Sequence, residues 1–450
     1  MQVQFEKKIN KLGVISIALG AIIGWGAFVL PGNFFIKEIG VLNTMIGLFL
    51  GAIIMCIIEK NYGFLLSKYP EAGGEFIYTY IGLGKKNAFI CGWVLILSYI
   101  SIVQANGTAI SVVLKNVIAN LQTGKILYKI QENNIYLHEV LIGIGILIFL
   151  GVLNIIGINL VSKFQTYMTL SLVTIVIYIF LYIVLNPEVS KLVLISHFNL
   201  EKIELSKILK VLAIAPWAYI GFDTIPQAVE EFNFPGNQAS KLAMIAIFLG
   251  FLIYNMLNVI TATIFTEIDL SNPNILWATG EAVERVMGKN GIYILSLGIL
   301  LAIIAGINGF YMAASRLIFS MAKEKCLPKI LNRLNRKTKT PKNAILLVMF
   351  ISLIAPLFGR EALLCIVDTS SLGASIGYLY TSLVAFKIAK KEVKRKSLIY
   401  GLCGSLLGIF FIITLVVPVF PGSLSKASYI VMFIWMILGY IVYKIGGKND

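Results

Sequence analysis

Two stretches rich in glycine and proline interrupt otherwise apolar runs and could bind a charged small molecule. The first is GAIIGWGAFVLPG at residues 20–32, and the second is APWAYIGFDTIPQAVEE at residues 215–231. Glycine tolerates an unwound backbone, and proline cannot donate the helical hydrogen bond. A broken helix exposes amides that attract an anion and carbonyls that attract a cation. Together these stretches predict a site for a zwitterion such as an amino acid, and they fit inorganic ions or sugars poorly.

The backbone groups at the two breaks are the predicted ligand contacts. We expect the substrate carboxylate to rest on the amides of four consecutive residues, Gly24, Trp25, Gly26 and Ala27. The ammonium group would face carbonyls from both stretches, those of Ile22, Ile23, Trp217 and Ile220.

Two carboxylates lie deep in apolar runs. Asp223 follows the second break, and Asp368 opens the run Asp368-Thr369-Ser370-Ser371. Ionisable groups within a membrane are costly and mark functional sites, so both are candidates for proton coupling or gating. In the alternative interpretation Asp223 only binds amides freed by the break, and Asp368 caps a helix or faces water. Arg316 is expected to snorkel or to pair with a cytoplasmic carboxylate.

Composition places these residues in a membrane. The chain has 450 residues, of which 58% are hydrophobic and 13% charged, and its mean hydropathy is +0.86. Soluble domains contain about 25% charged residues, so the sequence excludes a soluble, disordered, coiled-coil or disulfide-scaffold protein. Runs of about 20 apolar residues predict transmembrane helices. The sequence predicts an all-α polytopic protein with twelve spans, at 12–35, 40–66, 86–115, 138–157, 164–185, 208–229, 240–263, 291–322, 343–358, 361–388, 397–417 and 427–444.

Basic residues predict the orientation. The net charge of +16 would suggest nucleic acid for a soluble protein, but here cytoplasmic loops rich in lysine explain it, and no nucleic-acid partner is expected. Twenty-five of the 38 basic residues fall on the side of the N-terminus and twelve on the other. We therefore expect a multi-pass protein of the cytoplasmic membrane with both termini in the cytoplasm.

The two breaks also predict an internal repeat. Gly24 and Gly221 are 197 residues apart, and spans 5 and 10 are offset similarly. Paired broken helices indicate a transporter site near the bilayer midplane. With five spans per half, the second half must be inverted. The predicted organisation is a cytoplasmic segment 1–11, repeats 12–185 and 208–388, two accessory spans within 397–444 and a cytoplasmic end 445–450. The alternative is that these glycines, like Gly47, only serve helix packing.

Other chemistry lacks the residues it needs. The five cysteines form no close-spaced pair, and the two histidines, His138 and His197, lie at span edges or in loops. No phosphate-binding loop of the type G-x-x-x-x-G-K occurs. We expect no metal, no cofactor, no enzymatic activity and no direct use of ATP.

Five motifs in order resemble the amino acid–polyamine–organocation superfamily of permeases. They are the G-x-x-x-G-x-G-x-F segment of span 1, Pro70-Glu71-Ala72-Gly73-Gly74-Glu75-Phe76-Ile77-Tyr78, Asn154-Ile155-Ile156-Gly157, Ala314-Ser315-Arg316, and Lys323-Glu324-Lys325 with Leu327-Pro328. The resemblance covers residues 8 to 390 and implies a leucine-transporter-type fold and an amino acid or amine substrate. It also implies substrate contacts at Trp217 and Ile220, an aromatic gate at Phe310 and a polar contact at Ser370.

The chain departs from this family at Trp25, where a small residue is usual. A side chain pointing inward would shrink the pocket, whereas one pointing outward would only pack.

The resemblance also bears on the driving ion. In sodium-coupled relatives, span 1 carbonyls and span 8 hydroxyls hold the ion, but span 8 here offers Ala302, Ala305 and Gly306. Some proton-coupled relatives place a lysine on span 5, where this chain has Ser171 and Leu172. Asp223 is then the best proton carrier.

The sequence therefore predicts a sodium-independent secondary transporter of amino acids, driven by protons or by exchange. The alternatives are an organic amine or polyamine transporter and a nutrient sensor that does not transport. The oligomeric state is left open.

Overall fold

The fold is almost entirely helical. A computed structural model describes residues 4–117, 124–130, 133–189, 191–272, 275, 277–359, 361–420 and 423–446. Residues 447–450 of the expected cytoplasmic end and the side chain of Cys365 lie outside this described part. The strands Ile126–Ile130 and Asn133–Tyr136 form an antiparallel hairpin between spans 3 and 4, which the sequence analysis did not predict.

Each predicted span is occupied by one helix or by a series of shorter helices. Span 1 comprises Lys11–Ile22, Gly26–Leu30 and a π-helix at Pro31–Ile39, and span 6 comprises Leu205–Ala213, Ala215–Ala218 and Thr224–Gln227. The other spans are Val41–Leu66, Lys85–Val117, Leu137–Ile156, Ile158–Leu185, Ala239–Ala262, Ala278–Lys323, Lys342–Ser352, Glu361–Lys391, Arg395–Val416 and Lys426–Gly446. Shorter helical segments lie at Glu75–Leu83, Lys191–Ser196, Leu200–Lys202, Val229–Glu231, Gly236–Gln238, Asp269–Ser271, Lys329–Asn332 and Ala355–Leu357.

Length and composition confirm a multi-pass membrane protein. Within the described residues, nine helices are long and apolar enough to cross a membrane, and a tenth is added if the two parts of span 1, bent by 47°, count together. Span 6 is divided into short helices, and span 9 is only a short apolar helix at 342–357. The total of twelve spans therefore stays a prediction.

Two helix boundaries differ from the prediction where glycines redirect the backbone, and one further helix is present. Span 5 begins at Ile158, since Gly157 at φ 147° permits a turn directly after span 4. Span 8 begins at Ala278 and is kinked at Gly288, where φ is 65°. The helix Glu75–Leu83 precedes span 3 and was not predicted.

The N-terminal segment closes one end of the helix bundle. Lys8 and Ile9 donate their backbone N–H groups to the carbonyl of Glu231 at 2.9 Å, beyond the end of span 6. The Phe5 ring packs edge-on against Phe319 of span 8, with centroids 5.1 Å apart. This is the end that the charge pattern predicts to be cytoplasmic.

Candidate functional site

The first break unwinds span 1 for three residues. Ile23 is extended, with φ −90° and ψ 92°. The helix restarts with hydrogen bonds between residues three positions apart, from the Ala27 amide to the Gly24 carbonyl at 3.3 Å and from the Phe28 amide to the Trp25 carbonyl at 3.1 Å. Within the described chain the amides of Gly24 and Trp25 donate no hydrogen bond. These amides can bind an anion, whereas that of Ala27 is already used.

The second break exposes carbonyls. The Tyr219 amide donates to the Ala215 carbonyl at 3.1 Å, and helix resumes only at Thr224. In the stretch from Ala215 to Thr224, the carbonyls of Trp217 and Ile220 accept no hydrogen bond from any described residue. They are therefore free to accept a hydrogen bond from a ligand such as an ammonium group.

The two breaks touch each other at a glycine. Gly221 has φ 133°, and a Cβ atom there would lie 2.7 Å from the Ile22 nitrogen and 2.8 Å from the Ala21 carbonyl carbon. A side chain would meet backbone atoms that cannot move aside. Gly221 therefore lets the backbones of spans 6 and 1 pack directly against each other beside the breaks.

A small cavity lies at this crossing. Its volume is about 30 Å³, which holds about two water molecules and is too small for an amino acid. It is lined by Ala21, Ile22, Gly24, Trp25, Gly26, Ile102, Ala105, Asn106, Trp217, Ile220, Tyr254 and Ser370. A molecule as large as an amino acid would fit here only if side chains moved.

Seven of the predicted contact residues line this cavity: Ile22, Gly24, Trp25, Gly26, Trp217, Ile220 and Ser370. Ile23 and Ala27 are buried beside it but do not line it. Phe310 does not line it either, because its ring packs against Tyr99, with centroids 5.7 Å apart.

Two tryptophans face each other over the cavity. The rings of Trp25 and Trp217 pack edge to face with centroids 6.3 Å apart. A Cβ atom at Gly26 would lie 2.1 Å from Trp217 Cη2. Trp25 therefore points inward, and the pair fills space at the crossing of the two breaks.

Asn106 is a polar lining residue that the sequence analysis missed. Its Nδ2 donates to the Ile102 carbonyl at 3.0 Å, while its buried Oδ1 has no partner among the described residues. Oδ1 can accept a hydrogen bond from a substrate ammonium group. A polar amide side chain in the middle of the apolar run of span 3 was the available signal.

The two candidate carboxylates occupy different surroundings. Asp223 is fully buried and does not line the cavity. Its Oδ1 accepts from the Gly221 amide at 2.7 Å, and its Oδ2 accepts from the Tyr99 hydroxyl at 3.0 Å. Asp368 instead accepts from the Ser425 amide at 2.9 Å and the Ser428 hydroxyl at 2.7 Å, at the start of span 12. The structure thus gives Asp368 the surroundings of a helix cap.

A neutral amide joins spans 1, 5 and 8 near the expected ion position. Gln165 Nε2 donates to the carbonyls of Ser16 at 3.2 Å and Ala305 at 3.1 Å. Its Oε1 accepts from Asn308 Nδ2 at 2.8 Å. Ser171, which the sequence analysis placed in this region, is exposed. That placement was wrong because the helical rotation of span 5 brings Gln165, not Ser171, to this junction.

Replacing Gln165 with leucine is expected to lower the unfolding free energy by about 2 kcal/mol, because buried carbonyls and the Asn308 amide would lose a partner. Thr166→Val is the matched control, since the Thr166 hydroxyl bonds only to the Ser162 carbonyl within its own helix. Thermal unfolding in detergent measures both variants. Equal losses in the two variants would contradict a bridging role for Gln165.

Comparison with known proteins relates the chain to amino acid permeases, transporters and exchangers. Residues 9–443 match the amino acid permease family. The chain is 24% identical to cationic amino acid transporter 4, vacuolar, of Arabidopsis thaliana over 75% of this chain and 56% of that protein. It is 22% identical to the branched-chain amino acid permease BcaP of Bacillus subtilis over 97% of this chain and 92% of the relative. It is 25% identical to the serine/threonine exchanger SteT of the same species over 79% of this chain and 77% of the relative. The chain thus spans little more than half the length of the plant protein.

Proposed function

Because the chain belongs to the amino acid permease family, we propose that it is a secondary transporter that moves amino acids across the cytoplasmic membrane by alternating access. The observation that carries this proposal is the contact between two broken helices at Gly221, where residues with unbonded amides, Gly24 and Trp25, and residues with unbonded carbonyls, Trp217 and Ile220, line one cavity. Free donors and acceptors in one cavity match the carboxylate and ammonium of an amino acid. The proposed role is transport and not catalysis.

Binding would use the backbone first and side chains second. The substrate carboxylate rests on the amides of span 1, and its ammonium group meets the carbonyls of span 6 and Asn106 Oδ1. The substrate side chain displaces the Trp25–Trp217 pair, because the cavity of about 30 Å³ has no other room. Movement of this pair would open one side of the site.

On the side of the site where the N-terminus lies, access is closed by the N-terminal segment and the ends of spans 6 and 8. We propose that the two five-span halves move relative to each other so that one side opens while the other closes. The lysine bias of the loops supports both termini being cytoplasmic.

The runner-up is transport of an organic amine or polyamine. An amine without a carboxylate would leave the span 1 amides unmatched, so the geometry favours the amino acid. A sensor with the same site would bind amino acids but show no flux.

Uptake by purified protein in proteoliposomes tests the proposal. A panel of labelled amino acids and matching decarboxylated amines is offered with a sodium gradient, a proton gradient or preloaded substrate. We expect accumulation of at least one amino acid, no response to sodium, and stimulation by protons or by preloaded substrate. Binding without flux would favour the sensor, and equal uptake of an amine and its parent amino acid would contradict the carboxylate contact.

Asp223 is the proposed proton carrier, since it is buried beside the break and contacts the backbone of span 6. Asp223→Asn is expected to remove the stimulation by an inward proton gradient, because an amide cannot take up and release the proton. The rate measured without a gradient should change less. A sodium requirement at constant pH would contradict the proposed coupling.

A further inference from the structure

Asp223 has a carboxylate neighbour, Glu75. Glu75 is the first residue of the helix before span 3, and both carboxylates are fully buried. The Tyr99 hydroxyl lies between them, 3.0 Å from Asp223 Oδ2 and 3.4 Å from Glu75 Oε1. One hydroxyl proton can satisfy only one of these oxygens at a time.

Neutral groups surround this pair. Glu75 also accepts from the Tyr62 hydroxyl at 3.0 Å and from Gln227 Nε2 at 2.6 Å. The ion pairs between described residues involve neither carboxylate. Two uncompensated negative charges in a low-dielectric interior are costly, and a single proton removes one of them.

The titratable groups that face the pair come from several helices. They are Tyr62 of span 2, Tyr78 of the same helix as Glu75, Cys91 and Tyr99 of span 3, and Tyr378 of span 10. The basic residue Arg316 of span 8 is bound to Glu231 instead. All five facing groups are neutral when protonated, so the charge of the site is set by the two carboxylates.

Three buried polar atoms beside the pair lack partners in the described chain: Gln227 Oε1 and the hydroxyls of Tyr78 and Tyr378. The Gln227 contact of 2.6 Å is in the range of an O–H···O bond. If the amide turns over, its Oε1 can accept a proton carried by Glu75. The site thus has an acceptor for a protonated carboxyl group as well as donors for an ionised one.

The position of Glu75 links the pair to the end of the bundle where the N-terminus lies. Gln227 is one turn beyond Asp223 on span 6, and Glu230 follows. Glu230 Oε1 accepts from the Ala72 amide at 3.0 Å and lines a cavity of about 970 Å³ at this end. Glu75 is therefore the carboxylate on the side of this cavity, and Asp223 is the one next to the break.

We propose that Glu75 and Asp223 form one proton-binding site, in which the two carboxylates share a single proton through Tyr99. Tyr99 gives its hydroxyl proton to the ionised carboxylate as it takes up the proton of the other carboxyl group, so that the tyrosine stays neutral and one carboxylate stays ionised. Glu75 exchanges it with the solvent of the cavity. This site rests on the proposed function for its role in coupling, but the shared proton can be measured without transport.

Infrared difference spectra of the purified full-length protein at neutral pH test the shared proton. The protonated carboxyl C=O band is compared between the wild type and the variants Glu75→Gln, Asp223→Asn and the double variant. Each single variant should lose the band of one carboxyl group, because the remaining carboxylate ionises once its like-charged neighbour is gone. The double variant should lose no more than either single one. Additive losses, or no loss in either single variant, would overturn the shared proton.

Glu59→Gln is the matched control. Glu59 is a buried carboxylate of span 2 whose Oε2 accepts from the Ser240 hydroxyl at 2.9 Å, and among the described residues no carboxylate shares a hydrogen-bond donor with it. The loss of carboxyl C=O band intensity in Glu59→Gln should add to the loss in Glu75→Gln when the two variants are combined. A non-additive result for this pair would mean that the spectra report a change of structure, and it would overturn the assignment.

Transport then separates this site from the proposed function. In proteoliposomes, Glu75→Gln should lower proton-driven accumulation at least tenfold, whereas Glu59→Gln should keep it. Full accumulation by Glu75→Gln would overturn the role of Glu75. A wild-type protein that shows the shared proton but carries no amino acid would refute the proposed function and leave the proton site standing.

Discussion

Replacing Gly221 with alanine is expected to abolish transport and to destabilise the protein. Gly221 has φ 133°, which an L side chain rarely adopts, and such strain costs about 1–3 kcal/mol. The added methyl group would also lie 2.7 Å from the Ile22 nitrogen, so the two breaks would be forced apart. Substrate binding should fall to background, because the amides and carbonyls would no longer face the same ligand.

Gly145→Ala is the control for this prediction. Gly145 lies in span 4, and a Cβ atom there meets nothing within 4 Å. It should keep wild-type uptake and gain slightly in stability, since alanine favours a helix. Ligand binding and thermal unfolding in detergent distinguish the two variants. Wild-type binding by Gly221→Ala would mean that the contact between the breaks does not form the site.

The breaks could be predicted because their cause is local. Glycine and proline weaken a helix, so their close spacing in an apolar run, Gly24 with Gly26 and Pro216 with Gly221, indicated the unwound segments without any knowledge of packing. The backbone contacts at Gly24, Trp217 and Ile220 followed from the same reasoning. These residues line the cavity in the structure.

The positions of the polar side chains could not be predicted in the same way. Gln165 and Glu75 act through partners 140 and 148 residues away, Ala305 and Asp223 respectively, and these partners meet only after the helices pack. Glu75 belongs to one of the motifs that resemble the permease family, yet nothing in its local sequence indicates a second carboxylate. The direction of a side chain also depends on small rotations of its helix, which is why Ser171 was misplaced.

A buried ion pair holds the closed end of the bundle, and it carries the second large prediction. Arg316 donates from Nε at 3.1 Å and from Nη2 at 2.8 Å to Glu231 Oε1, and both side chains are 1% exposed. Arg316 is thus paired and buried, and it does not snorkel. The Glu231 carbonyl also accepts the amides of Lys8 and Ile9, so one residue joins span 8, span 6 and the N-terminal segment.

Arg316→Met is expected to lower the unfolding free energy by about 3–5 kcal/mol, because it leaves the Glu231 carboxylate buried without its partner. Replacing both residues, with Glu231→Leu added, should recover most of this loss, since two apolar side chains fit a buried site. Thermal unfolding in detergent measures stability. Ser320 is a buried residue of span 8, four positions after Arg316, and a Ser320→Cys variant supplies a reporter thiol at this end. Because the pair joins the elements that close this end, both variants should also expose this thiol to thiol reagents more than the wild type does. A double variant as unstable as Arg316→Met would contradict the cost assigned to the unpaired Glu231 carboxylate. A reporter that stays protected in both variants would show that the pair does not hold this end closed.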